Sequence, residues 1–190
     1  MNSSKKLLYQ ERKLFENSLV VGNRIPYHFF ITSGIGESDE SFHTGSFHLA
    51  LTQAGIGKCN IINYSSILPK IAEEVEKPKD LIHGSVLETI MARCDVEQGE
   101  RATAGLIIGW LYNAEGKQGG LVCEYSGNDD EETAMESLKR RMREVYNSGF
   151  SENFELRDLK IVTRSFVPRK RYGTALVAIC FLDYLIPILK

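Results

Sequence analysis

AGIGKCNIINYSSILPK, residues 54–70, is the stretch on which the reading of this chain turns. Gly55 and Gly57 close off whatever precedes it. Asn60–Ser66 is a mostly apolar run of strand length, and Pro69 stops it. Two adjacent serines, Ser65 and Ser66, therefore fall at a strand end just ahead of a proline. The ordinary reading of that arrangement is a strand running into a turn, where serine is common.

Working back toward the N-terminus, Phe47–Ala54 predicts a short helix ended by the two glycines. Ser33–Ser46 (SGIGESDESFHTGS) predicts a long polar loop, and Tyr27–Thr32 (YHFFIT) a strand. Residues 5–17 carry Leu7, Leu8, Leu14 and Phe15 near helical spacing and predict an amphipathic helix. Toward the C-terminus, a charged connector (Glu73–Asp80) leads to strands over 81–93, 103–112 and 119–125. Asn113–Gly116 and Lys117–Gly120 supply the turn between the last two. Asn128–Gly149 is the clearest helix. It has Asp129, Asp130, Glu131 and Glu132 in its first turn, and Lys139, Arg140, Arg141 and Arg143 in its last half. Ala134, Leu138, Met142 and Val145 form its apolar stripe, and Gly149 its stop. Strands over 156–167 and 173–182 complete a strand-rich α+β chain.

A chain of 190 residues, 43% hydrophobic and 25% charged, can bury a core as one domain. Its formal charge of −2 gives no general reason to expect nucleic acid. Arg169-Lys170-Arg171 is too short and isolated to change that, and reads as a solvated loop. No apolar run approaches the roughly 20 residues of a membrane span. The N-terminus mixes charge into every turn, without the apolar core of a signal peptide. A cytoplasmic protein without membrane contact is the expectation. Cys59, Cys94, Cys123 and Cys180 form no CxxC pair and predict buried free thiols. The four histidines lack HxH or HxxxH spacing, so no metal site is expected.

The common signatures of nucleophilic and phosphate chemistry, GxSxG, GxxxxGK[ST] and GxGxxG, are missing. Gly34-Ile35-Gly36 precedes Glu37 rather than a helix, so it is no dinucleotide fingerprint. A second oddity stands beside the serine pair. In Leu121-Val122-Cys123-Glu124-Tyr125 a carboxylate sits within an apolar strand. Either Glu124 points to the solvent face of a half-buried strand, or it is a partly desolvated acid of raised pKa suited to proton transfer. Spacing alone leaves both open.

The segment AGIGKCNIINYSSILPK resembles the self-cleavage region of the pyruvoyl-dependent arginine decarboxylases. SGIGESD (33–39), HGSVLETIMA (83–92), Glu124–Tyr125 and YGTALVAICFL (172–182) also look like blocks of that family, in the right order. Together they span most of residues 28–182. Residues 1–24 read as an N-terminal extension, and 25–190 as the single decarboxylase domain.

The resemblance implies a four-layer αββα sandwich, and a chain that cleaves itself at Ser65–Ser66. The Ser66 hydroxyl attacks the Ser65 carbonyl, and elimination cuts the resulting ester. Residues 1–65 become the β chain and 66–190 the α chain, with a covalent pyruvoyl group made from Ser66. Decarboxylation leaves an electron pair on the substrate α-carbon, and that ketone is the sink for it. By the same resemblance Ser65 supplies the cleavage-site carbonyl and Glu124 donates the proton that quenches the carbanion. Asn60 polarises a carbonyl or orients the amino-acid substrate, although it also reads as a turn or cap residue after Gly57. The αβ units are expected to form a homotrimer.

One position departs from the pattern. The arginine enzymes place an aspartate twelve residues before the asparagine to hold the guanidinium, and here that position is His48. Histidine cannot replace a bidentate carboxylate. A hydrogen bond to a charged group contributes about 1.5–3 kcal/mol, so its loss costs about tenfold to 150-fold in preference for arginine. Asp39, with Glu37 and Glu40, is the nearby alternative carboxylate. The sequence therefore predicts decarboxylation of arginine or a related amino acid. The competing readings are a pyruvoyl enzyme for a neutral or acidic amino acid, and a non-catalytic paralogue that keeps the fold as a binding partner.

Overall fold

The computed structural model describes residues 22–188. The helix expected over 5–17, and most of the 1–24 extension, lie outside them. In chain order, β1 (Ile25–Pro26) and β2 (His28–Ser38) lead into a π-helical turn over Phe42–Phe47 that continues as α1 (His48–Gln53). Then come β3 (Asn60–Asn63), β4 (Ile67–Pro69), β5 (Glu73–Glu74) and β6 (Val86–Glu97). After β7 (Ala102–Asn113) and β8 (Gly116–Gly127), α2 (Glu131–Gly149) precedes β9 (Glu155–Phe166), β10 (Tyr172–Phe181) and β11 (Tyr184–Leu185). This is an α+β fold, mostly sheet. No helix among the described residues is long and apolar enough to cross a membrane.

Two larger sheets carry the structure. One has the order β3-β6-β10-β2-β5, the other β4-β8-β7-β9, while β1 and β11 pair by themselves. Alternate residues of a strand face opposite sides, and here both sides are apolar. Phe29 joins a cluster with Ile90, Leu106, Ile108 and Val122, which draws on both sheets. Phe30 joins Leu176, Ala178 and Cys180 against Ala50, Leu51 and Ala54 of the α1 segment. Ile107 and Cys123 pack on Ala134, Leu138 and Met142 of α2. Strands covered on both faces read as continuous apolar runs, which is why β7 (ATAGLIIGWLYN) shows almost no alternation.

The sequence expectations differ from the structure at several places. Ser33–Ser38 is the second half of β2 rather than loop, paired with β10 from Tyr172↔Ser38 onward. Its glycines serve close packing. A Cβ on Gly34 would lie 2.2 Å from the Ala50 carbonyl oxygen, and one on Gly36 would lie 2.1 Å from that of Ser46. The strand expected over Asn60–Ser66 ends at Asn63. Lys117–Gly120 is strand, and the hairpin closes tightly at Asn113↔Gly116, where Gly116 takes φ +101°.

In α2, Asp130 is the N-cap, its side chain accepting from Thr133 N. The last turn carries no base, Val145 is exposed, and Tyr146 packs in its place. The helix ends on Phe150 (φ −125°), packed against the same cluster, and Gly149 is the final helical residue rather than a left-handed stop. The cysteines are free thiols, with three buried and Cys59 half-buried.

Candidate active site

Ser65 and Ser66 lie where the chain leaves one sheet for the other. Tyr64 is still tied to the five-stranded sheet, its N–H donating to Thr89 O at 2.7 Å. Ser66 is already tied to the four-stranded sheet, its carbonyl accepting from Val122 N at 2.9 Å. Ser65, with a peptide bond on either side of it, spans the gap. Downstream, β4 is an edge strand, so Pro69 can end it without breaking a ladder.

Two contacts stand at this crossing. The Ser66 hydroxyl donates to Glu124 Oε1 at 2.5 Å, a length typical of a bond to a charged acceptor. The Ile67 N–H donates to the Ser65 carbonyl oxygen at 3.1 Å, closing a three-residue turn about Ser66. The carbonyl that an attacking Ser66 Oγ would reach therefore already has a donor on the oxygen that would gain charge.

Glu124 is half-buried in β8 between buried Cys123 and Tyr125. Its backbone carbonyl accepts from Arg141 Nη1 at 2.6 Å, and that guanidinium lies 5.3 Å from the Tyr125 ring centroid. Arg141, expected to serve the helix dipole, instead ties α2 to this strand. Burial first, and the neighbouring Glu124 charge second, push the Cys123 thiol pKa up, so that sulfur stays protonated.

The structure thus brings Ser65, Ser66 and Glu124 together and places the remaining candidates elsewhere on the chain. Asn60 is exposed at the start of β3, where its Nδ2 donates to Gly84 O at 2.9 Å. Among the described residues no hydrogen bond joins it to Ser65, Ser66 or Glu124. His48 is exposed at the start of α1 and lines a cavity of about 440 Å³ with Lys58, Lys79, Asp80 and His83. Asp39 accepts from Arg171 N at 3.2 Å, while Glu37 accepts from Arg169 N at 2.7 Å. The two acids hold the backbone of the basic loop that the sequence reads as free in solvent.

Sequence reasoning passed over one carboxylate. Glu88 is buried in β6, with its oxygens on Arg24 Nη2 and the Tyr64 hydroxyl. An acid inside an apolar strand was the signal that singled out Glu124, and LETIMA (87–92) carries it equally.

The family model described as pyruvoyl-dependent arginine decarboxylase matches residues 28–185. The pyruvoyl-dependent arginine decarboxylase of Pyrococcus furiosus is 30% identical over 141 residues, covering 73% of this chain and 85% of that protein. That of Methanopyrus kandleri is 32% identical over 154 residues, covering 81% and 95%. The pyruvoyl-dependent arginine decarboxylase AaxB of Chlamydia trachomatis serovar L2 is 33% identical over 186 residues, covering 86% and 94%. The chain belongs to the pyruvoyl-dependent arginine decarboxylase family.

Proposed function

We propose that the chain cleaves itself between Ser65 and Ser66 and then decarboxylates L-arginine to agmatine and CO₂. The observation that carries the reading is the Ser66 Oγ–Glu124 Oε1 hydrogen bond at the crossing between sheets. The residues fit the prosthetic group that the family name implies, because the hydroxyl, a proton acceptor and an oxyanion donor stand on one peptide bond.

Glu124 takes the Ser66 proton as Oγ attacks the Ser65 carbonyl carbon, with the charge growing on the oxygen held by Ile67 N–H. The C–N bond breaks, the nitrogen takes a proton, and an ester joins the two serines. Loss of the residue 66 α-proton expels the Ser65 carboxylate. Addition of water and release of ammonia then leave a ketone on residue 66. That ketone supplies the electron sink for decarboxylation. Glu124, already within reach of residue 66, returns a proton to the substrate α-carbon.

Several finer points belong to the same proposal. The two large sheets stack between α1 and α2 as a four-layer αββα sandwich, which the three apolar clusters support. Residues 25–190 act as one domain, the αβ units assemble as a cytoplasmic homotrimer, and Asn60 orients the substrate. His48 occupies the position at which a guanidinium is held, with Asp39 the alternative. The test is CO₂ release from a panel of arginine, ornithine, lysine, glutamate and leucine. Arginine is expected to lead, with no release by Ser66→Ala, while CO₂ from another substrate alone overturns the arginine assignment. His48→Asp should raise kcat/KM for arginine by about tenfold or more. An unchanged value removes His48 from the guanidinium site.

A further inference from the structure

Glu88 is 2% exposed, in the interior of the five-stranded sheet, where an ionised carboxylate persists only if its oxygens are satisfied. One oxygen takes the Arg24 guanidinium and the other the Tyr64 hydroxyl. The Tyr184 hydroxyl is buried with no hydrogen-bond partner among the described residues, and the Arg24 guanidinium lies 5.1 Å from its ring centroid. Burial first, and the adjoining Glu88 carboxylate next, hold the Tyr184 pKa above that of an ordinary phenol, while on Tyr64 burial acts first and the hydrogen bond to Glu88 second. Both phenols therefore stay protonated, and the Tyr64 hydroxyl remains a donor to Glu88.

Tyr64 directly precedes the Ser65–Ser66 pair. It is the last residue fixed to the five-stranded sheet, by backbone through Thr89 and by side chain through Glu88. Ser66 is the first residue fixed to the other sheet. The Ser65 carbonyl therefore hangs between two anchors, and its distance from Ser66 Oγ depends on both. Attack is sensitive to such placement, since a misplacement of about 1 Å can cost on the order of 100-fold in rate.

We propose that Glu88 is a positioning residue for self-processing, gripping Tyr64 so that the Ser65 carbonyl is presented to Ser66 Oγ. The proposal rests on the reading that the chain cleaves at Ser65–Ser66. Arg24 neutralises the carboxylate from the segment before β1, and Tyr184 covers it from β11, the strand paired with β1. The β1–β11 pair is thereby linked to the cleavage site.

The experiment follows cleavage of full-length wild type, Tyr64→Phe and Glu88→Gln by intact mass under denaturing conditions. Each is run with and without hydroxylamine, which traps the ester by cutting it. Unfolding midpoints are compared in the Ser66→Ala background, so that every chain is intact. Tyr64→Phe should slow cleavage by about tenfold or more and lower the hydroxylamine-released fraction by a similar factor, with an unfolding midpoint close to its parent. Glu88→Gln should behave alike, and carries the test if Tyr64→Phe does not fold. Wild-type cleavage and trapping rates in the folded variants overturn the positioning role, as does slowing that merely tracks a lost midpoint. A wild-type chain that never cleaves overturns the underlying reading instead, so the two failures are distinguishable.

Discussion

At the scale of the residue, the proposed chemistry depends on one short hydrogen bond, from Ser66 Oγ to Glu124. Glu124→Gln keeps the shape but cannot accept the serine proton as a carboxylate does. Cleavage should fall by about 100-fold or more, in the range general base catalysis contributes, while the unfolding midpoint of the intact chain stays near that of Ser66→Ala. A time course of chain mass checks this, and cleavage at the wild-type rate would remove Glu124 from the proton transfer. Ser65, Ser66 and Glu124 were singled out in the sequence by the resemblance of residues 54–70 and 124–125 to the family's blocks, since a serine pair at a strand end and an acid in an apolar strand each also have an ordinary reading. The Ile67 amide was not, since a backbone N–H has no sequence signature. Glu88 was hidden because its partners, Tyr64 and Arg24, lie 24 and 64 residues away and only the fold brings them in.

At the scale of the element, β2 shows why composition misled. Gly34, Ser38 and the surrounding acids look like loop, yet the strand continues so that the π-helical turn and α1 can lie close against it. Glycine here provides the absence of a side chain. Gly36→Ala places a methyl 2.1 Å from the Ser46 carbonyl oxygen and 2.4 Å from Ala50 N, both backbone atoms that cannot rotate away. The substitution should destabilise the chain by about 1–3 kcal/mol, read as a lowered midpoint in denaturant. A neutral result would mean that α1 is free to move off the sheet. The long helix was the most legible element, through its acidic start and apolar spacing. Its end was not, because packing of Phe150 rather than a left-handed glycine terminates it.

At the scale of the whole molecule, a cut after Ser65 divides the sequence without dividing the sheets. In the order β3-β6-β10-β2-β5, the first and fourth strands lie before the cut and the other three after it. β2 and β10 stay in register from Phe29↔Phe181 to Ser38↔Tyr172. The two pieces should therefore co-elute in native gel filtration and separate only in denaturant. Separation under native conditions would contradict this interleaving.

A histidine–carboxylate contact is among those that also join the pieces. Asp183 Oδ2 lies 2.8 Å from His28 Nδ1, and its Oδ1 accepts from His28 N. The ring contact first, and the backbone bond second, hold the Asp183 pKa below the ordinary carboxylate value. A depressed folded pKa stabilises fully above the unfolded value of about 3.9, and that contribution is lost as pH falls through the folded value. The gap in unfolding midpoint between wild type and Asp183→Asn should be widest near neutral pH and shrink below about pH 4. A gap that is constant over that window would mean the carboxylate charge contributes nothing.

The most direct measurement is the intact mass of the purified protein under denaturing conditions, with Ser66→Ala beside it. Two chains of 65 and 125 residues are expected from the wild type, the longer one beginning with a ketone in place of its amine, and one uncut chain of 190 residues from the variant. A single uncut mass from both, unchanged on prolonged incubation, would contradict self-processing at Ser65–Ser66 and leave the chain without its electron sink.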